Sequence, residues 1–264
     1  MRTGSATNSD CSLQGMLAEA LAGNPAAAGF DVHYQPIVRF DDHATAAVEA
    51  LPRWDHPLAG RIPSSEFIAA AERVGLVAVL DDFVLERACA DAGALAATYG
   101  HEVSMHVNVS NCRLGRRDLD AAIAWVLRRH KLAPGRLTIE IAAAATLDDV
   151  AAAGAAIQKL RNLGVQVALD HFASSLSGLT LLQALPVDLI KLSVSLTDAD
   201  ADFWQREDLC QSVLNVCRRV GAVVIAQGIE TDNQARVLHT MGCHMGQGGL
   251  FGAPGRLARR SAER

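Results

Sequence analysis

QVALDHFASSLSGLTLLQALPVDLIK, residues Gln166 to Lys191, decides how the rest of the chain is read, because it spells out a strand, a loop, a helix and a second strand with a polar group closing each strand. Val167, Ala168 and Leu169 form an apolar run that stops at Asp170. A Ser-rich loop follows, Leu179 to Leu185 reads as helix and breaks before Pro186, and Leu189 and Ile190 begin a new run that stops at Lys191. In a parallel barrel the side chains at the C-terminal ends of the strands point into one shared mouth, so this unit places Asp170 beside Lys191. Taken alone, the pair reads more simply as a solvated aspartate and a lysine lying along apolar surface.

The same grammar recurs along the chain. Ala46 to Val48 ends at Glu49, Met105 to Val107 at Asn108, Leu137 to Ile139 at Glu140, and Val223 to Ala226 at Gln227. Six strands that each deliver a carboxylate, amide or amine to the C-terminal end predict an α/β fold, a (β/α)8 barrel with a polar mouth. The 264 residues match one such barrel of about 250 residues, and a hydrophobic content of 50% supplies its core. One feature departs from the regular barrel. Phe30 to Phe40 and Ala44 to Trp54 read as strands joined by Asp41, Asp42 and His43, which is hairpin chemistry and makes the first two strands antiparallel.

The remaining elements follow by periodicity and punctuation. Helices are expected over Ser64 to Arg73 with Ser64 as the cap, Leu76 to Tyr99, Arg116 to Lys131, Asp148 to Leu163, Gln205 to Val220 and Asp232 to Met241. Strands are expected over Val103 to Asn108, Arg136 to Ile141 and Ala222 to Ala226, with a closing segment at Cys243 to Phe251. Residues 1–9 read as disordered, and a helix from Asp10 or Ser12 to about Leu21 reads as a lid on one barrel end. The division expected is a tail and helix over 1–28, the barrel over 29–254 and a basic tail over 255–264.

A formal net charge of −5 argues against direct nucleic-acid binding through a broad basic surface, while a local Arg or Lys still suits a small anion. Six cysteines, at 11, 89, 112, 210, 217 and 243, show no C-x-x-C and no zinc spacing, so reduced core residues are expected. The polar N-terminus and the lack of an apolar run of about 18 residues predict a cytoplasmic protein without a membrane partner.

Gln35-Pro36-Ile37 and Glu49-Ala50-Leu51-Pro52-Arg53-Trp54, with His56-Pro57 after them, resemble the EAL family of bacterial cyclic di-GMP phosphodiesterases. The likeness continues through Phe67, Ile68, Ala71, Glu72 and Gly75; Val107-Asn108-Val109-Ser110; Leu163-Gly164-Val165; Leu185-Pro186-Val187-Asp188; Gly228-Ile229-Glu230-Thr231; and Gly242-Cys243 with Gln247-Gly248, covering about residues 30–254. The resemblance implies a modified TIM barrel with an antiparallel first strand. It also implies a two-cation phosphodiesterase site taking Mg2+ or Mn2+. The first cation's ligands would be Glu49, Asn108, Glu140 and Asp170; Lys191 would orient the attacking water; Gln35, Leu51, Arg53, Glu230 and Gln247 would line the dinucleotide site.

The second cation is where the chain departs from the family pattern. Asp-Asp-Phe-Gly-Thr-Gly-Tyr is here Asp170-His171-Phe172-Ala173-Ser174-Ser175-Leu176, Glu-Gly-Val-Glu is Gln227-Gly228-Ile229-Glu230, and Glu-Ile-Thr-Glu is Glu140-Ile141-Ala142-Ala143. Two dications about 4 Å apart repel by roughly 16 kcal/mol at an effective dielectric near 20. Three carboxylates face them where the family has five. One divalent cation is therefore expected, with His171 a further candidate ligand that suits Mn2+ or Zn2+ better than Mg2+. Three functions stay open: a cyclic di-GMP receptor acting on a separate protein partner, a residual phosphodiesterase with an altered metal site, and a nucleotide-independent protein-interaction regulator. Arg53 favours the receptor; its alternative is a structural ion pair with Glu49. A homodimer, common in the family, stays open too.

Overall fold

The computed structural model describes residues 6–142, 150–172, 181–182, 184–193 and 203–257. In chain order the elements are α1 (Ala6–Ala22), β1 (Phe30–Arg39), β2 (Thr45–His56), β3 (Gly60–Ile62), α2 (Ser64–Arg73), α3 (Val77–Tyr99), β4 (Ser104–Asn108), α4 (Asn111–Leu114), α5 (Leu119–His130), β5 (Leu137–Ala142), α6 (Val150–Asn162), β6 (Gln166–Phe172), β7 (Leu189–Ser193), α7 (Phe203–Arg219), β8 (Val223–Gln227), α8 (Asp232–Thr240), β9 (Met245–Gln247) and β10 (Gly255–Arg256). The Ser-rich loop after Phe172 and part of the helix expected behind it lie outside the described residues.

β2, β4, β5, β6, β7, β8 and β9 pair in parallel in that order. β1 closes the ring, antiparallel to β9 on one side and to β2 on the other. This is a TIM-like α/β barrel with its first strand reversed. The reversal follows from the Asp-Asp-His turn: His43 takes φ 55°, Asp42 Oδ1 accepts the Ala44 N–H at 3.1 Å, and the Arg39 N–H donates to Ala44 O at 3.0 Å. The pairing that results sets Gln35 opposite Glu49.

Strand alternation sorts side chains into the ring or onto its outer wall. Inside, Ile37, Ala47, Ala168, Leu189 and Ile225, with Met245 against them, form an apolar plug distinct from the larger core between ring and helices. Each plug residue lies two positions from a polar residue of the mouth, so the plug is the floor on which the site stands. Outside, Trp54 stacks on Phe30 at 4.6 Å, meets Phe67 edge-on at 6.0 Å and donates Nε1–H to Ala28 O at 3.0 Å. α1 covers this corner beside α2, with Leu17 and Leu21 buried.

Local details differ from the sequence expectations for identifiable reasons. α1 starts at Ala6 rather than at Asp10 or Ser12, because extending a helix already anchored by packing costs far less than nucleating one. Ser64 does not cap α2: Pro63 holds the cap position without a side-chain bond, and Ser64 Oγ donates to Pro52 O at 3.0 Å instead. The helix expected over Arg116 to Lys131 is α5, which begins only at Leu119, and a separate short helix, α4, precedes it. β3 and β10, at three and two residues, are too short to show a period. Of the described cysteines, Cys89, Cys210, Cys217 and Cys243 are buried thiols, whereas Cys112 is exposed on the short helix after β4.

The loop after β4 carries the chain out of the mouth and is tied down by Asp81 of α3. Asp81 accepts from the Ser110 N–H at 2.9 Å and from Ser110 Oγ at 2.5 Å. Burial pushes Asp81 up to about 6 against those two bonds, which lower it. A carboxyl that binds its proton more tightly in the folded chain favours folding at low pH. That contribution is full below about pH 4 and is lost as pH rises through 6. Asp81→Asn abolishes this dependence, so its unfolding free energy relative to wild type should rise by about 3 kcal/mol between pH 3 and pH 7. Urea titrations across that range check it; parallel pH profiles would contradict it.

Candidate functional site

One interior layer above the plug, every ring strand places a polar side chain at the mouth: Gln35 (β1), Glu49 (β2), Asn108 (β4), Glu140 (β5), Asp170 (β6), Lys191 (β7), Gln227 (β8) and Gln247 (β9). The sheet's parallel register brings residues far apart in sequence to one point. Lys191 Nζ lies there, 2.9 Å from Glu49 Oε2, 2.7 Å from Glu140 Oε2 and 3.8 Å from Asp170 Oδ1. Glu49 accepts two further bonds, from Asn108 Nδ2 at 2.7 Å and Gln247 Nε2 at 2.6 Å. Gln247 Nε2 also reaches Gln35 Oε1 at 3.0 Å, and Gln35 Nε2 donates to Gly252 O at 3.2 Å. Gln227 Nε2 donates to Asp170 Oδ1 at 2.9 Å.

The electrostatics follow from burial. Burial alone would lower the Lys191 pKa, but Glu140, Glu49 and Asp170 outweigh it and hold the ammonium above its ordinary range. Burial pushes Glu49 up, yet Lys191 and the Gln247 amide hold it below the usual carboxylate value. Glu140 goes the other way. Its burial and the neighbouring Glu49 charge raise it, and Lys191 and His106 offset only part of that. The two partners of Lys191 thus shift oppositely because Glu140 is completely enclosed while Glu49 collects more donors.

Glu49, Glu140, Asp170 and the Asn108 amide offer hard oxygen donors, the chemistry Mg2+ and Mn2+ take. Among the described residues, however, no group of three acidic, histidine or cysteine side chains is spaced as a finished metal cluster. The carboxylates converge on the lysine.

The other expected site residues are placed as follows. Leu51 and Arg53 continue the Glu49 face of β2 by alternation, toward the rim. Arg53 does not pair with Glu49: its Nη1 donates to Pro52 O at 2.9 Å and to Ser64 Oγ at 3.1 Å. Among the described residues it has no carboxylate partner. Burial and Arg61 lower its pKa, with Glu49 opposing. Glu230 stands apart from this network on the exposed rim, where its Oε1 accepts the Gly249 N–H at 3.4 Å. It helps hold the turn after β9, in which Gly248 is required because a Cβ there would strike the Ile229 backbone. The side chain of His171 lies outside those described.

Sequence reading missed one member of the network, His106, which is buried on β4 with Nδ1 2.7 Å from Glu140 Oε1. Stepping two residues back from Asn108 along the strand would have found it.

The EAL domain profile matches residues 15–254 of the chain. The chain belongs to the EAL domain family. It is 34% identical over 230 residues to the cyclic di-GMP phosphodiesterase NbdA of Pseudomonas aeruginosa, covering 86% of this chain and 29% of that protein. It is 36% identical over 223 residues to an uncharacterised signalling protein of Caulobacter vibrioides, covering 84% of this chain and 27% of that one. The chain therefore spans under a third of the length of these two relatives. Among solved structures, the PaMucR phosphodiesterase in complex with c-di-GMP superimposes with a TM-score of 0.80 at 28% identity, covering 91% of this chain and 97% of that one. The EAL enzyme Bd1971, with cAMP and cyclic di-GMP bound, gives 0.85 at 26%, covering 97% and 69%.

Removing the ammonium from this EAL mouth leaves Glu49 and Glu140 as buried charges without compensation. Lys191→Met should destabilise the fold by about 3 to 5 kcal/mol near neutral pH, less in acid, where the carboxyls take up protons. Urea unfolding at two pH values measures this, and a loss below about 1 kcal/mol would show that the triad is not held as described.

Proposed function

We propose that this EAL domain binds cyclic di-GMP in the barrel mouth, hydrolyses it weakly or not at all, and passes the bound state to a protein partner. The observation that carries the reading is the bond from Gln227 Nε2 to Asp170 Oδ1. Where the family pattern has a glutamate beside this aspartate, two like charges call for a cation between them. The amide of Gln227 instead satisfies Asp170 with a neutral donor, so the need for a second cation is gone. A divalent pair supplies a more acidic water and a stabilised leaving oxygen. Glu49, Asn108, Glu140 and Asp170 would hold one ion only, Mg2+ or Mn2+.

Binding rests on a different part of the mouth. Arg53 carries a half-buried charge with no carboxylate partner among the described residues, and a guanidinium in that state suits a phosphodiester oxygen pair. Leu51 lies between it and Glu49 on the same face, and Gln35 and Gln247 line the floor. No helix among the described residues is long and apolar enough to cross a membrane.

Calorimetry with cyclic di-GMP, with and without Mn2+, tests the reading alongside chromatography of the products. Wild type should bind and yield linear product at least ~100-fold more slowly in Mg2+ than a relative with all the family carboxylates. Arg53→Ala should weaken binding by about 10- to 150-fold, the worth of a charge-assisted hydrogen bond of about 1.5 to 3 kcal/mol. Efficient hydrolysis would overturn the receptor reading in favour of an enzyme with an altered metal site. No binding at about 100 μM ligand would leave protein interaction alone.

A further inference from the structure

His106 has no role in the site as derived so far, yet its placement is specific. It occupies the plug layer two residues below Asn108, on β4 beside the small hydroxyl side chain of Thr138 of β5 in register, and β1, β2, β6, β7, β8 and β9 supply apolar residues to that layer. A histidine there is not needed to fill space. It is buried, and its Nδ1 lies 2.7 Å from Glu140 Oε1. Glu140 accepts from Lys191 on its other oxygen, and the tautomer that suits the contact with His106 carries its proton on Nδ1. The other oxygen of Glu140 meets Lys191 Nζ at 2.7 Å. Both ends of the carboxylate are thereby fixed, and the Glu140 side chain has one orientation in the mouth.

We propose that His106 is a positioning residue for the cation site: its hydrogen bond from below occupies Oε1 of Glu140, so that Oε2, the oxygen Lys191 also reaches, is the one turned toward a divalent ion. This rests on the mouth holding one such ion. Groups that hydrogen-bond a metal-ligating side chain from behind orient it, and their loss typically weakens metal binding by about 10- to 100-fold. Shape and donor can be separated. Leucine keeps the bulk of the ring in an apolar layer but donates nothing, whereas asparagine carries an N–H on the atom bonded to its Cγ, the place Nδ1 occupies in histidine.

The experiment is calorimetric titration of the full chain with Mn2+ alone, with thermal melting to confirm folding. Wild type should bind one Mn2+, His106→Leu should bind about 10- to 100-fold more weakly, and His106→Asn should recover most of the loss. If leucine is not accommodated, His106→Ala serves as the donor-free variant. Equal affinity in wild type and the donor-free variant would overturn the positioning role while leaving the cation site standing. Equal losses in the leucine and asparagine variants would overturn it too, since volume rather than the hydrogen bond would then matter. A wild type that binds no Mn2+ would remove the cation reading itself, and the role of His106 with it.

Discussion

A lysine ammonium enclosed by three carboxylates at the floor of the mouth is the interaction on which the architecture of this site depends. Lys191 contributes the charge, and Glu49, Glu140 and Asp170 come from three other strands of the ring. Each ion alone would be costly to bury, by several kcal/mol, and each becomes tolerable only with the others in place. The barrel register is therefore not a neutral scaffold. A slip of one residue on any of these strands would turn a charge into the outer hydrophobic wall. The antiparallel first strand belongs to the same constraint, because pairing Gln35 with Glu49 is what brings the Gln35 and Gln247 amides onto the floor.

Much of this was legible in the sequence, because a strand that ends inside a barrel announces its mouth residue as the polar group that stops an apolar run. Glu49, Asn108, Glu140, Asp170 and Lys191 were all found that way, and the hairpin turn gave the reversed strand. What a linear reading cannot show is contact across the ring. Gln227 and Asp170 sit on β8 and β6, with β7 between them, so their hydrogen bond has no trace in spacing. Arg53 is instructive for the same reason. Proximity in sequence suggested Glu49 as its partner, but alternate residues of a strand climb away from each other, and the guanidinium settles on Pro52 O and Ser64 Oγ. His106 was hidden by its neighbours, since a polar residue within an apolar run reads as an interruption rather than as the second layer of a site.

On the proposed reading, the mouth exchanges one kind of neutralisation for another. Three carboxylates, one ammonium and the neutral amides of Gln227, Gln247 and Asn108 leave enough negative charge for one divalent ion. A pair about 4 Å apart would face roughly 16 kcal/mol of mutual repulsion at an effective dielectric near 20. On the proposed reading Arg53, which has no carboxylate partner among the described residues, serves recognition by itself, so recognition and turnover separate physically. The first needs an uncompensated guanidinium and the second needs two metals.

That separation is tested most directly by counting ions. A crystal soaked in Mn2+ and measured for anomalous scattering should show one peak in the mouth, within bonding distance of Glu49, Asn108, Glu140 and Asp170. Two peaks separated by about 3.5 to 4 Å, the spacing of a working two-metal site, would contradict the account.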